Sequence, residues 1–190
     1  TAAPDWQGLE QAIRDCRRCP LHATRNRAVP GVGDATARLL IIGEAPGLEE
    51  DRRGEPFVGR AGQLLDAMLA AIGLARHEDV YITNLIKSHP PRNRDPSAEE
   101  ITACRPWLDA QIALLQPAVM LALGRIAAQS LTGEKAKMGE LRGHWHAFGE
   151  TAIPLLATYH PAYLLRKPAA KAEAWRDLVM VKRRLREMAA

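Results

Sequence analysis

Three polar side chains of different chemistry stand at the ends of apolar runs in the sequence: Glu44, Asn84 and His160. Glu44 brings a carboxylate, and Asn84 brings an amide that both donates and accepts hydrogen bonds, which suits recognition of a nucleobase edge or another amide-like ligand. His160 precedes Pro161, and because a residue before proline is held extended, its imidazole is aimed rigidly. Taken singly, an asparagine that closes a turn and a structural histidine are the plainer interpretations, so the chemistry depends on whether the three residues meet.

Four segments are predicted to be the strands that position these residues. Each is a near-continuous apolar run rich in β-branched residues, the pattern of strands buried on both faces of a parallel sheet. They cover roughly residues 38–43, 79–84, 118–123 and 152–158. Because the carboxyl ends of parallel strands lie at one edge of a sheet, we expect Glu44, Asn84 and His160 to share one cleft.

Helical patterns alternate with these strands. They cover roughly residues 5–15, 62–72, 124–131 and 170–187, and a further helix is expected to begin at Ser97, which can form a capping box with Glu100. The alternation predicts an α/β fold, a three-layer α/β/α sandwich with a central four-stranded parallel sheet. Residues 87–96 contain three prolines and are expected to form an ordered loop, and residues 133–149 a surface excursion.

Composition sets bounds on the class of protein. The 190 residues, 47% hydrophobic and 25% charged, suit one domain spanning residues 1–190. The apolar runs fall short of the roughly 20 residues that cross a bilayer, and Thr1–Asp5 lacks the features of a signal peptide, so we expect a cytoplasmic protein without a membrane partner. The formal charge is +4, and basic residues bunch at 17–18, 92–94, 166–167 and 182–184. Such bunching suits nucleic acid, although solvated helix faces explain any one cluster about as well.

Cysteine usage favours metal binding over disulfides. Three cysteines, Cys16, Cys19 and Cys104, are too few and too oddly counted for a secreted disulfide framework. The spacing of Cys16 and Cys19 lets two thiolates reach one metal centre from a short turn.

Phe57 is one of two phenylalanines in the chain and lies in a loop rich in proline and glycine. It is therefore a candidate platform on which a base could stack. The alternative is that its ring packs under the loop.

Five motifs, in this order, cover most of the chain: Gly43-Glu44-Ala45-Pro46-Gly47 with Glu49-Glu50-Asp51, Pro56-Phe57-Val58-Gly59-Arg60-Ala61-Gly62, Tyr81-Ile82-Thr83-Asn84, Cys104-Arg105-Pro106 and His160-Pro161-Ala162-Tyr163-Leu164-Leu165. In these motifs the chain resembles the family-4, iron-sulfur uracil-DNA glycosylases of bacteria and archaea. The resemblance implies a DNA repair enzyme that flips uracil out of DNA and hydrolyses its N-glycosidic bond, leaving an abasic site. It also implies a monomer that acts on uracil-containing DNA in the prokaryotic nucleoid.

The resemblance assigns roles around the base. Asn84 would hydrogen-bond the edge of uracil, Phe57 would stack on its ring, and His160 would donate to O2 as negative charge builds there. Gly43 and Ala45 would line the pocket, where backbone amides of residues 44–47 supplement the contact to O2. Glu50 would sit near C5, where a thymine methyl would not fit.

The resemblance does not assign the residue that orients the attacking water. In the related family-1 enzymes an aspartate positions the water, but Ala45 occupies the corresponding place here. Stabilisation of the leaving base must therefore supply a larger part of the lowering of the activation barrier. Glu44, Glu50 and Asp51 are the candidates for orienting water, and the sequence does not choose among them.

Contacts to the rest of the DNA also follow from the resemblance. Leu164 matches the apolar wedge that fills the gap left by the flipped nucleotide. Four basic residues would lie on loops near the phosphates and add affinity that depends on salt but not on sequence: Lys87, Arg92, Arg94 and Arg166.

Members of this family bind a 4Fe-4S cluster through four cysteines, of which Cys16, Cys19 and Cys104 match three. Ser88 occupies the fourth position, and His89 stands beside it. Because histidine replaces cysteine on some iron-sulfur irons, we expect Cys16, Cys19, Cys104 and His89 to be the ligands. Ligation by Ser88, a water-capped or three-iron cluster, and loss of the cluster are the alternatives.

Two other functions compete with this interpretation. A non-catalytic or covalently trapping uracil-DNA-binding protein of the same superfamily would explain Ser88, but a pocket kept only for binding does not require His160 beside Asn84. Covalent trapping is associated with a histidine in an inserted basic loop, whereas residues 88–94 are short and held by prolines. A nucleotide-binding α/β enzyme is disfavoured because residues 31–33 and 43–47 lack both a P-loop Lys-Ser/Thr pair and a full dinucleotide fingerprint.

Overall fold

A mixed six-stranded sheet forms the centre of the computed structural model, which describes residues 5–189. In chain order the strands are β1 (Val32–Gly33), β2 (Leu39–Gly43), β3 (Val80–Asn84), β4 (Val119–Leu123), β5 (His146–Phe148) and β6 (Ile153–Thr158), and in space they run β1-β3-β2-β4-β6-β5. The four central strands are parallel, as predicted, while β1 and β5 add short antiparallel edges. Residues 1–4, on which the expected lack of a signal peptide partly rests, and residue 190 lie outside the described range.

Helices cover both faces of the sheet. They are α1 (Trp6–Arg14), α2 (Leu48–Arg53), α3 (Arg60–Ala71), α4 (Ala98–Leu115), α5 (Arg125–Thr132), α6 (Met138–Leu141), α7 (Pro161–Arg166) and α8 (Lys171–Glu187). One core joins alternate strand residues to α4, α5 and α6, and the other joins the remaining strand residues to α3, α7 and α8. The predicted three-layer sandwich is thus confirmed. No helix within residues 5–189 has the length and apolar character needed to cross a bilayer.

The central strands form where the sequence can be buried on both faces. Every residue of β2, β3 and β4 is buried; within β2, Leu40 and Ile42 enter one core while Leu39 and Ile41 enter the other. Such two-sided burial is the reason these strands lack polar alternation.

The strand register brings the predicted site residues to one edge. Gly43 pairs with Asn84 at the ends of β2 and β3, and Leu123 pairs with Thr158 at the ends of β4 and β6. From β2 the chain crosses to β3 on one side, and from β4 it continues to β6 on the other. This switch in direction opens a crevice beyond the strand ends, where ligands bind in such folds.

Outside the strands, two local predictions are confirmed and a third is only partly right. The capping box is present, with Ser97 Oγ accepting from Glu100 N at 3.2 Å and the Glu100 carboxylate accepting from Ser97 N at 2.8 Å. Residues 87–96 form a loop with a short 3₁₀ turn, as expected. The surface excursion predicted for residues 133–149 is only partly right, because the segment contains α6 and β5 and completely buries Leu141.

Candidate active site

An open cleft of about 750 Å³ lies at the carboxyl edge of the sheet. It is lined by eight of the predicted site residues, Glu44, Ala45, Glu50, Phe57, Asn84, Arg94, His160 and Arg166. The expected meeting of Glu44, Asn84 and His160 therefore occurs, and it follows from the register of the strands that carry them.

Asn84 presents an unused acceptor to this cleft. The residue is 2% exposed, and its Oδ1 has no hydrogen-bond partner within residues 5–189. A β-carbon on Gly43 would meet Asn84 Oδ1 and would stand 2.6 Å from Phe57 Cζ, so only glycine fits behind the pair. A buried acceptor without a partner costs about 1–3 kcal/mol, so this atom is suited to a ligand that brings a donor.

His160 is held in one orientation and one tautomer. It is the N-cap of α7, and its Nδ1 accepts a hydrogen bond from Ala162 N at 3.0 Å, which leaves the proton of the neutral ring on Nε2. Burial, reinforced by the positive charge of Arg166, lowers the pKa of His160 to about 4. The close approach of Gly124, whose φ is +90°, lets the ring sit against the start of α5. At neutral pH the side chain is a neutral Nε2–H donor.

Phe57 lies beside His160, with the two ring centroids 5.5 Å apart and the planes inclined by 30°. Its backbone has φ 54°, an uncommon value for a bulky residue, and the buried Arg76 holds this turn. The Arg76 guanidinium donates to the carbonyls of Pro56 and Phe57 and forms an ion pair with Asp66 at 2.7 Å. Sequence reasoning missed Arg76 because it belongs to none of the motifs.

Glu44 is the carboxyl group whose acidity is changed most. Burial raises its pKa to about 7, the negative charge of Asp95 adds to the shift, and Arg125 opposes it. Asp95 and Arg125 also line the cleft, and neither was singled out from the sequence. Near neutral pH, Glu44 therefore exists in both protonation states.

Glu50 and Asp51, the other two candidates for orienting water, already accept hydrogen bonds from the protein. Glu50 lines the cleft, but its Oε1 accepts from the amides of Val58 at 3.0 Å and Gly59 at 3.3 Å, which braces the loop carrying Phe57. Asp51 is 1% exposed, does not line the cleft, and accepts from the backbone and side chain of Asn26. The suggestion that Asp51 orients water is wrong.

Two of the predicted DNA contacts are also wrong. Lys87 is 2% exposed, and its ammonium donates to Thr83 Oγ1 and, at 2.7 Å each, to the carbonyl of Asn84 and to Gln111 Oε1. It braces the end of β3 and cannot reach a phosphate. Leu164 is 1% exposed and belongs to the core under α7, so it cannot act as a wedge, whereas Leu165 beside it is 39% exposed.

The remaining predicted basic residues are exposed. Arg94 and Arg166 line the cleft, and Arg94 also pairs with Glu100 at 2.6 Å. Arg92 lies in the neighbouring loop with φ 59° but does not line the cleft.

The three cysteines lie near one another and near the loop that follows β3. Trp107 Nε1 donates to Cys16 Sγ at 3.2 Å, and Lys87 N donates to Cys104 Sγ at 3.3 Å. Burial raises the pKa of Cys104, the charge and backbone amide of Lys87 oppose this shift, and Cys19 and Cys16 add smaller contributions that raise it. The three thiols are therefore within electrostatic reach of one another.

The two candidates for a fourth ligand have other partners. Ser88 Oγ accepts from Arg25 at 2.9 Å, and His89 Nδ1 lies 2.8 Å from the carbonyl of Pro46 and donates to it. Within residues 5–189 no three Cys, His, Asp or Glu side chains are arranged to hold one metal ion. The three thiols are nevertheless donors of the type that an iron-sulfur cluster takes, and the hydrogen bond of His89 uses Nδ1 and not Nε2.

The chain is similar to known uracil-DNA glycosylases. The family model of the Uracil DNA glycosylase superfamily matches residues 30–179. The chain is 46% identical over 182 residues to a Type-4 uracil-DNA glycosylase of Pyrobaculum aerophilum, covering 93% of this chain and 92% of that protein. It is 43% identical over 176 residues to a Type-4 uracil-DNA glycosylase of Archaeoglobus fulgidus, with 88% of each chain covered.

Similarity extends at a lower level to another type. A Type-5 uracil-DNA glycosylase of Thermus thermophilus is 35% identical over 194 aligned residues, covering 82% of this chain and 86% of that protein. Matches of this identity and coverage, added to the family model, establish the relationship. The chain belongs to the uracil-DNA glycosylase superfamily, in its type-4 branch.

Proposed function

We propose that this protein removes uracil from DNA by hydrolysing the bond between uracil N1 and deoxyribose C1′. The observation that carries the proposal is that Asn84 Oδ1, which has no hydrogen-bond partner among residues 5–189, and a neutral His160 Nε2–H belong to one cleft. The names of the type-4 relatives support the same activity. A single domain spanning residues 1–190, acting as a monomer in the nucleoid, is the arrangement we propose with it.

Base recognition follows from hydrogen-bond complementarity. Uracil presents an N3–H donor and an O4 acceptor on one edge, so Asn84 Oδ1 accepts from N3–H while its amide nitrogen donates to O4. Cytosine presents an acceptor at N3 and a donor at C4, which opposes both contacts. The Phe57 ring offers the face on which uracil stacks, and the bulk of Glu50 near C5 disfavours thymine.

Catalysis acts mainly on the leaving base. When the C1′–N1 bond breaks, its electron pair moves onto uracil and negative charge collects at O2. The neutral His160 Nε2–H donates to this oxygen, and because the imidazole is itself buried, that hydrogen bond is stronger than it would be in water. A doubly protonated imidazole is not required, in agreement with the lowered pKa of His160.

Water completes the reaction at C1′. With Ala45 in the first motif and Asp51 engaged elsewhere, Glu44 is the carboxylate we assign to orienting this water and accepting its proton. The products are an abasic deoxyribose that carries the water oxygen and a uracil anion that takes up a proton. The nucleotide reaches the cleft by leaving the base stack or from single-stranded DNA.

We also propose an iron-sulfur cluster held by Cys16, Cys19, Cys104 and, through Nε2, His89. A backbone carbonyl that accepts from the second ring nitrogen is the usual companion of a ligating histidine, and Pro46 supplies one. When bound, the cluster would crosslink the segment after α1, the loop after β3 and α4. Iron and acid-labile sulfide analysis of anaerobically purified protein, with His89→Ala and Ser88→Ala, tests this ligand set. Iron loss in the serine variant alone would contradict it.

Arg92, Arg94 and Arg166 are the residues we assign to the phosphates nearest the cleft. Leu165, exposed on α7, replaces Leu164 as the proposed wedge. Both assignments place DNA across the face from which the cleft opens.

A single-turnover assay decides between an enzyme and a binding protein. We expect wild type to release free uracil from uracil-containing DNA, and His160→Ala and Asn84→Ala to lose this activity. His144→Ala, in an exposed histidine that does not line the cleft, is the matched control. Binding without release by wild type would support a non-catalytic protein, and a band shift that survives denaturation would support covalent trapping.

A further inference from the structure

A second concavity, of about 780 Å³, lies outside the uracil cleft and is dominated by arginine. Its lining comprises Arg14, Asp15, Arg17, His22, Arg25, Asn26, Arg27, Ala28, Arg53 and Gly54. We call it the arginine pocket. Five guanidinium groups face one carboxylate there, so the pocket is strongly positive even with its histidine neutral.

Most of this charge is not neutralised by neighbouring carboxylates. Arg14 pairs with Glu10 at 3.4 Å, and Arg53 lies 3.8 Å from Glu49, both pairs at the surface. Arg17, Arg25 and Arg27 have no carboxylate partner in the part of the chain that the structure describes. A concave surface lined by one sign of charge focuses the field and attracts ions of the opposite sign.

The pocket is held in shape by the fold. The half-buried Arg25 donates to the carbonyls of Arg14 at 3.0 Å and Cys16 at 2.8 Å, and to Ser88 Oγ. Asp51 accepts from the backbone amides of Asn26 and Arg27, which fixes the backbone of these two lining residues. These bonds hold the pocket walls in place before any ligand binds.

The position of the pocket relates it to the uracil cleft. Gly47 and Glu50, at the start of α2, line the cleft, whereas Arg53 and Gly54, at its end, line the arginine pocket. At 1.5 Å per residue, α2 is roughly 9 Å long. One DNA strand advances about 3.4 Å per nucleotide, so this length corresponds to about three nucleotides.

We propose that the arginine pocket binds a backbone phosphate of the DNA strand that enters the cleft, about three nucleotides from the flipped uracil. This inference rests on the proposed function. It adds to the cleft a second anchoring point for the substrate, on the side of the chain that carries the cysteines.

The test compares Arg17→Gln/Arg27→Gln with Arg176→Gln/Arg186→Gln, which removes the same charge from exposed positions on α8. Fluorescence anisotropy measures the affinity of each for a uracil-containing 15-mer at several salt concentrations. We expect the pocket variant to bind about tenfold more weakly at low salt and to lower the slope of log K against log salt by about 1 to 2. Equal losses in both variants, or no loss in the pocket variant, would overturn the proposal.

A trinucleotide with a central uracil separates this proposal from the proposed function. It fills the cleft but does not extend to the pocket, so the pocket variant should release its uracil at the wild-type rate. Failure of wild type to release uracil from the trinucleotide and the 15-mer would refute the enzyme, not the pocket. Calorimetry with tripolyphosphate identifies a different occupant: binding that requires Arg17 and Arg27, with unchanged 15-mer affinity, would overturn the assignment to DNA.

Discussion

Gly43 and Asn84 are register partners at the ends of two adjacent parallel strands. The Asn84 amide and the Phe57 ring come together in the space that a side chain on Gly43 would take. The base recognition and base stacking that we propose for Asn84 and Phe57 therefore depend on a residue that has no side chain. This relationship explains why a glycine ends the first buried strand of the sheet.

Gly43→Ala should damage catalysis far more than stability. The added methyl would displace both the Asn84 amide and the Phe57 ring, and a misplacement of about 1 Å costs about 100-fold in rate. Steady-state kcat/KM for uracil release measures the loss. Gly139→Ala, at the rim of the same cleft with open space around it, should leave the rate unchanged. A wild-type rate in Gly43→Ala would refute this account of the pocket.

The pH dependence of activity should follow Glu44 and not His160. His160 is neutral above a pKa of about 4, so it does not limit the rate between pH 5 and 9, whereas deprotonation of Glu44 with a pKa of about 7 should raise the rate across neutrality. Glu44→Gln should lower the rate and abolish this rise. Single-turnover rates from pH 5 to 9 provide the measurement, and a rise that persists in the variant would assign it to another group.

Glu44 should also make stability depend on pH. Because its pKa is raised from 4.5 in the unfolded chain to about 7 in the folded one, the folded protein binds more protons between these values. The stabilisation is complete below pH 4.5 and is lost as pH rises through 7. The Tm of Glu44→Gln relative to wild type should therefore increase from pH 4.5 to 7, and a constant difference would contradict the raised pKa.

Arg76→Met should lower the free energy of unfolding by about 2–4 kcal/mol, because the carbonyls of Pro56 and Phe57 lose their buried donor. The loop carrying Phe57 should loosen and kcat/KM should fall with it. Urea denaturation compares this variant with Arg60→Met, an exposed arginine on α3. Equal stability of the two variants would show that the guanidinium does not hold the loop.

Leu164 and Leu165 should separate core packing from DNA contact. Leu164→Ala removes a buried side chain and should cost about 2–5 kcal/mol of unfolding free energy. Leu165→Ala should change stability by less than about 0.5 kcal/mol but slow uracil release from double-stranded DNA more than from single-stranded DNA. Equal effects of Leu165→Ala on both substrates would refute its role as a wedge.

The parallel strands and the meeting of Asn84 with His160 were predictable because each depends on local sequence: apolar runs define the strands, and the residues that follow them lie at one edge. The roles of Lys87 and Arg76 were not, since each is decided by partners that are distant in the chain, such as Gln111 for Lys87 and the Phe57 turn for Arg76. Strands β1 and β5, of two and three residues, are too short to leave a pattern. Leu164 is buried and Leu165 is exposed because they lie on different faces of the short helix α7, a difference that two adjacent leucines do not reveal in the sequence.

Lys87 has a consequence for the thermodynamics of binding. Its backbone amide donates to the Cys104 sulfur while its ammonium donates to the carbonyl of Asn84, so one residue links Asn84 to one of the three cysteines. A segment held at both ends has little conformational freedom left to lose when a base arrives. In the role that we propose for Asn84, the conformational entropy of this segment is thus lost during folding, and more of the hydrogen-bond energy with uracil remains to discriminate between bases.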